Sequence, residues 1–486
     1  MERHEHPYFR SKSDRPAAPA YDEASAGDLS LADETPAAHA CTGACIEHYD
    51  DPPPAGDASL LGNVTVAVVG LGYVGLRVAT AFADTFPTLG FDIDETRLST
   101  LRNGIDCTGE IGPDVLAHSR LMLHSDPAAL ADSNFFIVAV PTPLTAAGKP
   151  DLGMLVEACA MIGRAMAPGA TVVIESTVYP GTTEEVCGPA LEQASGLRCG
   201  VDFQLAYSPE RLNPGDARRD FSSIVKLVAA QDRRTLDLVA AVYGTVVGAG
   251  VHRVESIKVA EAAKLLENTQ RDVNIALINE MAQICGLLGI RVADVLGAAA
   301  SKWNFLPFSP GMVGGHCVGI DPYYLADTAQ RFGYQPRLIL AARQVNEGMP
   351  AYIASRIVLA MAAQETCIRG ARVGILGITF KEGVPDIRNS KTVELAQALA
   401  VYGIQAHIAD PQADVYESRA AFGIELEDET DWGDLDVLVL AVPHTQFLSR
   451  IYDQAEQSLR PQGMFVDLKG AVDPALLPED VFYLAL

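Results

Sequence analysis

Short apolar runs alternate with amphipathic stretches along most of the chain, and this pattern predicts strands that alternate with helices. Helical periodicity follows the first run through residue 83 and returns at 154–166 and 182–192. Strands that alternate with helices are typical of a parallel sheet with both faces covered. The predicted strands of this first unit span residues 64–69, 88–92, 135–140, 171–175 and 203–207.

A second α/β unit begins at Arg372, after a long helical segment. Residues 255–290 contain no proline and keep a helical apolar period, which predicts one long helix that bridges two domains and pairs with a second copy of the chain. The predicted strands of the second unit span residues 373–376, 405–409, 437–441 and 464–467, and a helix is predicted at 392–402.

The expected fold class is α/β, with two Rossmann-like doubly wound parallel-sheet domains joined by a long central helix, in a homodimer. We expect a flexible acidic extension at 1–60 and a first Rossmann-like domain at 61–254. A central helical connector and dimerisation domain is expected at 255–350, and a C-terminal α/β domain at 351–486.

The charge balance narrows the choice of partners. The 486 residues include 62 acidic and 36 basic side chains, for a formal charge of −26. A surface of this charge repels polyanions, so no nucleic-acid partner is expected. No apolar run reaches the roughly 18 residues that span a bilayer, and the N-terminus lacks the pattern of a secretory signal. We therefore expect a cytoplasmic protein without membrane contact.

Nine cysteines are spread thinly over the chain. Cys41 and Cys45 lie close together, but no second pair follows at metal-ligand spacing, so no metal site is expected. In a cytosolic protein most of these thiols are free and inert.

The segment VAVVGLGYVG has the spacing of a dinucleotide-binding loop. Gly70, Gly72 and Gly75 follow a predicted strand and open a helix, where glycines allow a tight turn and close approach of a pyrophosphate. Asp92 lies 22 positions after Gly70, at the end of the next strand, where a carboxylate accepts hydrogen bonds from the adenosine ribose. This carboxylate favours NAD over NADP, although Arg97 is near enough to accommodate a 2′-phosphate.

Cys317 lies in a second informative segment, GMVGGHCVGID, with Asp321 four residues later. Glycines before the thiol let the backbone approach a ligand closely, which makes Cys317 a candidate nucleophile. A glycine-rich loop with a buried cysteine is also ordinary, so this segment alone leaves both interpretations open.

Four more residues are candidates for catalysis. Lys264 and Asn268 are four apart on one predicted helix and therefore share a face, where together they would stabilise an oxyanion. The same spacing also fits a solvated helix face. Glu210 and Thr177 each follow a predicted strand, at the edge where ligands bind in open α/β sheets.

These segments occur in an order that resembles the UDP-glucose/GDP-mannose dehydrogenase family. The matching motifs are GLGYVG, PTPL, ESTVYPGT, SPERLNPGD, the Lys264–Asn268 pair, GGHCVGIDP and LGITFKEGVPDIRNS, over roughly residues 62–475. The resemblance implies an NAD-dependent enzyme that oxidises the C6 alcohol of a UDP-sugar to a carboxylate through a covalent thioester.

The resemblance also implies roles for individual residues. Catalysis would involve Cys317 as nucleophile, Lys264 and Asn268 as oxyanion stabilisers, Glu210 as the acid/base of thioester hydrolysis, and Asp321 and Thr177 as residues that orient water. The implied NAD contacts are Gly70, Gly72, Tyr73, Val74, Gly75, Asp92, Arg97, Pro141, Thr142, Thr177 and Arg388. The implied UDP-sugar contacts are Glu210, Arg211, Leu212, Asn213, Lys264, Asn268, Gly314, Gly315, Lys381 and Lys469.

The loop SPERLNPGD and the segments KWNFLPF and NTQRDVNIALINE resemble the branch of the family that acts on UDP-N-acetylhexosamines. This implies UDP-GlcNAc or UDP-GalNAc as the substrate, in polysaccharide biosynthesis, with UDP-glucose as the alternative. Ser309 stands where close relatives often have an arginine, so the exact sugar stays open.

Two functions of other classes compete with this one. A two-electron β-hydroxyacid-type dehydrogenase shares the Rossmann domain and helical connector, but it needs no cysteine and usually lacks the second α/β unit. A nucleotide-sugar-binding protein without catalysis would keep the fold and lose catalytic groups. The candidate catalytic groups are all present in register, which favours the UDP-sugar dehydrogenase.

Overall fold

The computed structural model describes residues 61–145, 147–212 and 221–486. The extension expected at 1–60 and the predicted substrate contact Asn213 lie outside the described residues. Within them no helix has the length and apolar character needed to cross a bilayer.

The first domain is built on an eight-stranded sheet. Its strands are β1 (Val66–Val69), β2 (Thr88–Phe91), β3 (Met122–His124), β4 (Phe135–Val138), β5 (Thr171–Ile174), β6 (Gln204–Tyr207), β7 (Lys226–Ala230) and β8 (Val251–Arg253). They are ordered β3-β2-β1-β4-β5-β6-β7-β8. Alternate residues of the central strands, such as Val66 and Ala67, enter two different apolar clusters, so both faces of the sheet are buried.

Two strands of this sheet depart from the predicted parallel pattern. β7 pairs antiparallel with β6 through Ala206–Ala230 and Tyr207–Ala229, and β8 runs parallel to β7. Neither strand was predicted from the sequence, since β7 begins with a lysine and β8 is only three residues long. The antiparallel pairing brings the start of β7 to the same edge of the sheet as the end of β6.

Helices cover both sheets and connect them. The α-helices are α1 (Tyr73–Ala83), α2 (Glu95–Arg102), α3 (Pro113–His118), α4 (Gly153–Ala165), α5 (Gly188–Ser195), α6 (Arg233–Gly244), α7 (Ile257–Leu288), α8 (Val292–Ala300), α9 (Asp321–Arg331), α10 (Arg337–Ala363), α11 (Lys391–Ala400), α12 (Val415–Phe422), α13 (Thr445–Leu448) and α14 (Ile451–Ser458).

The long central helix predicted at 255–290 is confirmed as the 32-residue helix α7. It begins at Ser256, whose hydroxyl accepts a hydrogen bond from the Val259 N–H, and it ends at Gly289, which adopts a left-handed conformation with φ 70°. At about 1.5 Å per residue the helix spans roughly 48 Å, enough to link two domains. Helix α10 packs along it and continues through residue 350, where the expected connector ended.

The second domain is a five-stranded parallel sheet. Its strands are β9 (Arg372–Leu376), β10 (Gln405–Ala409), β11 (Leu435–Leu440), β12 (Leu459–Asp467) and β13 (Phe482–Ala485), in the order β10-β9-β11-β12-β13. The turn after β9 resembles the turn after β1: Gly377 and Gly70 both have positive φ, 103° and 92°. In each turn a carboxylate at the end of the next strand, Asp410 or Asp92, accepts a backbone N–H.

Candidate active site

A cavity of about 1320 Å³ lies between the carboxyl edge of the first sheet, helix α7 and the second domain. Ligands of open α/β sheets bind at this edge. The predicted residues that line it are Gly70, Gly72, Tyr73, Val74, Asp92, Pro141, Thr142, Thr177, Glu210, Leu212, Lys264, Gly315, Cys317, Asp321 and Arg388. The structure thus brings together groups that are up to 318 positions apart in the sequence (70 to 388).

The dinucleotide loop after β1 is closely packed on two sides and open on a third. A Cβ at Gly75 would lie 1.7 Å from the Gly70 carbonyl oxygen, and a Cβ at Gly70 would lie 2.9 Å from that of Ala139. A Cβ at Gly72 would meet nothing within 4 Å. The loop therefore faces the cavity at Gly72, where its backbone is open enough for a pyrophosphate to approach.

Asp92 holds this loop in place. Its carboxylate accepts hydrogen bonds from the N–H of Leu71 (2.8 Å) and of Asp94 (2.9 Å). Arg97, in contrast, does not line the cavity. Its side chain is buried and contacts the Leu71 carbonyl at 3.0 Å and the Asp106 carboxylate at 2.8 Å, so its contacts within the protein are structural.

The loop that carries Thr177 is connected to helix α9. The Thr142 hydroxyl donates to the Thr177 carbonyl at 2.7 Å, and the Tyr324 hydroxyl donates to the Thr142 carbonyl at 2.6 Å. Buried Glu261 of α7 accepts the N–H groups of Gly181 and Thr183 from the same loop. These hydrogen bonds connect the loops of the first domain that line the cavity to helices α7 and α9.

The segment that carries Cys317 packs tightly on the second domain. A Cβ at Gly315 would lie 2.8 Å from the Phe380 ring, and one at Gly314 would lie 2.8 Å from the Asn389 carbonyl oxygen. These glycines were predicted to allow close approach of a ligand, and in the structure they also allow close approach of the neighbouring domain. Asn279 of α7 anchors the start of the segment through both Gly311 backbone groups.

Asp321 begins helix α9 and is 2% exposed. The Asn268 side chain donates a hydrogen bond of 2.6 Å to its carboxylate. Burial raises the pKa of Asp321 to about 6, although the charge of Lys264 and the Asn268 hydrogen bond oppose this shift. Lys264, Asn268 and Asp321 therefore form one buried group of side chains beside Cys317, as the helical spacing of the first two predicted.

His316, next to the thiol, was not among the predicted residues. Burial would lower its pKa, but hydrogen bonding to Asp386 and to Cys317 outweighs burial and raises the pKa to about 9. The Asp386 carboxylate lies 3.5 Å from Nδ1 and 2.6 Å from Arg388 Nη2, which itself lies 3.2 Å from Nδ1, so the three groups form one cluster. The Arg388 guanidinium also lies 4.9 Å from the centre of the Tyr73 ring, which joins the second domain to the dinucleotide loop.

Glu210 meets two further residues that the sequence analysis did not single out. Lys226 Nζ lies 2.9 Å from Glu210 and 3.2 Å from Glu175, and all three side chains are nearly inaccessible to solvent. Burial raises the pKa of Glu175 to about 7 despite Lys226. Burial also acts on Glu210, but the charge and hydrogen bond of Lys226 outweigh it and lower the pKa of Glu210.

The remaining predicted substrate contacts occupy different places. Arg211 pairs with Glu267 of α7 at 2.7 Å and does not line the cavity. Gly314 and Lys469 line a second, smaller cavity of about 20 Å³ beside Phe380. Lys381 lies in the loop after β9, next to that cavity, and Ser309 is exposed.

Outside the large cavity, the cysteines and acidic side chains of the described residues form no further site. The described cysteines are all free thiols, and Cys317 is the one among them that lines the large cavity. No group of three or more His, Cys, Asp or Glu side chains in the described part of the chain is arranged to hold a metal ion.

Comparison with known families gives three matches in chain order. They are the NAD binding domain of the UDP-glucose/GDP-mannose dehydrogenase family at residues 64–247, its central domain at 258–348 and its UDP binding domain at 374–474.

Individual proteins are similar over most of the chain. A UDP-N-acetyl-D-glucosamine 6-dehydrogenase of Pseudomonas aeruginosa is 46% identical over 412 residues, which cover 85% of this chain and 98% of the relative. An enzyme of the same name from Salmonella typhi is 44% identical, with 79% and 91% covered. The solved structure of a UDP-D-ManNAc dehydrogenase from Pyrococcus horikoshii aligns with a TM-score of 0.78 at 30% identity, with 87% and 99% covered.

Proposed function

The chain belongs to the UDP-glucose/GDP-mannose dehydrogenase family, and from this premise we propose that it oxidises C6 of a UDP-N-acetylhexosamine to a carboxylate. Family membership confirms the expected fold class and the expected cofactor, NAD. The observation that carries the residue-level proposal is the cavity in which Cys317, Lys264 and Glu210 face the dinucleotide loop.

UDP-N-acetylglucosamine is the favoured substrate. The two relatives above 40% identity described here are named for this substrate, whereas the UDP-D-ManNAc dehydrogenase of known structure is 30% identical. The product would be a UDP-linked uronate, a building block for polysaccharide biosynthesis. The second domain supports binding of the UDP moiety, since residues 374–474 match the UDP binding domain.

The described residues fit NAD. The cradle at Gly72 is open to the cavity, and the Asp92 carboxylate lies at the end of β2, where the ribose of a dinucleotide is recognised. Tyr73, Val74, Pro141, Thr142 and Arg388 line the same part of the cavity. Two NAD molecules, bound one after the other, would each accept one of the two hydrides that a four-electron oxidation releases.

The first half of the reaction takes place at the cysteine. Loss of a hydride from C6 leaves an aldehyde, and the Cys317 thiolate attacks its carbon to form a thiohemiacetal. Lys264 and Asn268 stabilise the negative charge that develops on the C6 oxygen. Asp321 accepts the proton of the C6 hydroxyl by way of water, since the pKa of its buried carboxyl group is raised to about 6.

The second half releases the product. Loss of the second hydride converts the thiohemiacetal into a thioester on Cys317, which water then hydrolyses with Glu210 as the base. The covalent bond keeps the reactive aldehyde in the cavity between the two oxidations.

Counting NADH tests the reaction. We expect two NADH for each sugar consumed with UDP-N-acetylglucosamine, and one NADH for each sugar would rule out the four-electron proposal.

Cys317→Ala should lose turnover by about a thousandfold or more. Cys367→Ala, which removes an exposed thiol outside the cavity, is the matched control and should retain full turnover.

We further propose that the enzyme is a homodimer that acts in the cytoplasm, with the second copy docked along helix α7. Leu266, Leu277, Ile284 and Leu288 are exposed, although they are apolar. At 100° per residue they fall within about 40° around the helix axis, so they form one apolar stripe. An exposed apolar stripe of this length favours association with a second copy of the same helix.

Light scattering tests the dimer. We expect twice the chain mass of 51.7 kDa at micromolar concentration. Leu277→Glu, placed in the middle of the stripe, should shift the protein toward the monomer. Lys302→Glu, an exposed substitution outside α7, should not. A monomeric wild-type protein would refute the proposal.

A further inference from the structure

Lys226 is a buried cation that the proposed mechanism does not use. It is the first residue of β7, and its side chain is 4% exposed. Its ammonium group lies 2.9 Å from Glu210 Oε2 and 3.2 Å from Glu175 Oε2. A charge this deeply buried is unfavourable unless it is paired, so these two contacts account for its burial.

The antiparallel strand explains why the three side chains meet. β6 and β7 pair Ala206 with Ala230 and Tyr207 with Ala229, so extending the register places position 226 opposite 210. Glu175 directly follows β5, which pairs with β6 on its other side. A parallel β7 would have placed its first residue at the opposite edge of the sheet, away from the cavity.

Among the residues that the structure describes, which exclude 213–220, no other cation lies at hydrogen-bonding distance from Glu175 or Glu210. Tyr243 of α6 donates a hydrogen bond to Glu175, and its ring centre lies 5.4 Å from Lys226 Nζ. The Phe221 ring lies 5.0 Å from the same atom. Arg211, next to Glu210 in sequence, directs its guanidinium to Glu267 of α7.

Hydrogen bonds to both oxygens hold the Glu210 carboxylate in one orientation. Oε1 accepts the backbone N–H groups of Arg211 (2.7 Å) and Leu212 (2.8 Å), while Oε2 accepts Lys226. Without a cation, burial alone raises the pKa of a carboxyl group by up to about 3–5 units. At Glu210 the charge and hydrogen bond of Lys226, together with the two backbone N–H groups, outweigh burial and lower the pKa, whereas the pKa of Glu175 beside the same cation is raised to about 7.

We propose that Lys226 is a positioning residue that keeps Glu210 ionised and fixed in place as the base of thioester hydrolysis. This inference rests on the proposed function. A water oxygen bonds to the thioester carbon while its proton passes to the Glu210 carboxylate. The carbon–sulfur bond then breaks, and the Cys317 sulfur receives that proton. The uronic acid leaves as its carboxylate and releases the second proton of the water to solvent, and no electrons are exchanged in this step.

The test isolates hydrolysis from the oxidation steps. The enzyme is mixed rapidly with UDP-N-acetylglucosamine and NAD, then quenched in acid, and the sugar acyl group on Cys317 is measured by mass spectrometry. Lys226→Met and the more polar Lys226→Gln remove the charge. Lys226→Arg keeps it, and Lys258→Met removes an equal charge from the domain surface, where Lys258 pairs with Glu185.

We expect both neutral variants to form NADH in a rapid first turnover, to accumulate acyl-enzyme and to hydrolyse it slowly at neutral pH. The pH profile of the hydrolysis rate has an acidic limb, where the rate falls as Glu210 becomes protonated. The midpoint of this limb should move to higher pH by about one to three units, because Glu210 without the neighbouring charge ionises at a higher pH. Lys226→Arg should largely restore the wild-type limb, and Lys258→Met should leave it unchanged.

A neutral variant that folds and retains the wild-type limb, at whatever rate, overturns the role of Lys226. A limb that moves equally in Lys258→Met also overturns it, because the effect would then come from net charge. Failure of the proposed function is recognised separately, because the wild-type enzyme would then not form two NADH or an acyl-enzyme.

Discussion

A single carboxyl group shows how its surroundings change its chemistry. Asp321 is 2% exposed, and burial raises its pKa to about 6 against the opposing effects of Lys264 and Asn268. A group with this pKa changes its protonation state close to neutral pH, as a proton acceptor requires. The same residue type at Asp92 is engaged by two backbone N–H groups and fixes a loop instead.

The oxidation rate should therefore fall as the pH drops through about 6, because Asp321 becomes protonated there. Asn268 donates to the ionised carboxylate and so lowers its pKa, and Asn268→Ala should move this acidic limb to higher pH. The pH dependence of the first NADH burst measures both effects. Asn274→Ala, on the same helix and bonded to the Gln270 carbonyl, should leave the limb in place.

At the scale of an element, the turn between β1 and α1 contains glycines in closely packed positions and one glycine in an open position. The Cβ position of Gly75 collides with the Gly70 carbonyl, but that of Gly72 is open. Gly72 also has an ordinary φ of −77°, which any residue adopts. The packing of the turn therefore requires a glycine at positions 70 and 75, but not at position 72.

We expect Gly75→Ala to lower the free energy of unfolding by about 1–3 kcal/mol, because the added methyl group overpacks the turn. Gly72→Ala should leave Tm unchanged and weaken NAD binding, because its methyl group projects into the cradle. Thermal unfolding and NAD titration distinguish the two variants. Equal loss of Tm in both would contradict this assignment.

At the scale of the whole molecule, the active site is completed by the contact between two sheet domains. The Cys317 segment packs on the loop after β9 through Gly314 and Gly315. Lys469, at the far end of the chain, has its Cε 3.5 Å from the Cβ position of Gly311. The first domain thus carries the dinucleotide loop, and the second brings a cation to the cysteine segment.

This division predicts separable binding defects. Lys469→Met should raise KM for the UDP-sugar by about tenfold, the loss of one charged hydrogen bond, with no change in the Kd of NAD. Lys302→Met, at an exposed position, should change neither constant. Steady-state kinetics and NAD titration measure both. A weaker affinity for NAD in the Lys469 variant would place that residue in the cofactor site instead.

The sequence by itself determined the features that depend on local pattern. Apolar runs gave most strands of both sheets, the helical period gave α7, and glycine spacing gave the dinucleotide loop. Helical spacing also placed Lys264 and Asn268 together, and the order of the motifs indicated the family. These features were predictable because each depends on residues close in sequence.

Tertiary structure decided what depends on distant pairings. The antiparallel β7 was not predicted, because its first residue is a lysine whose burial is possible only beside Glu175 and Glu210. Arg97 was predicted as a cofactor contact, but its side chain is buried against Asp106 and the carbonyl group of Leu71, which lies 26 positions away in the sequence. Protonation likewise follows from burial and charged neighbours, so which carboxyl group titrates near neutral pH emerges only in the folded chain.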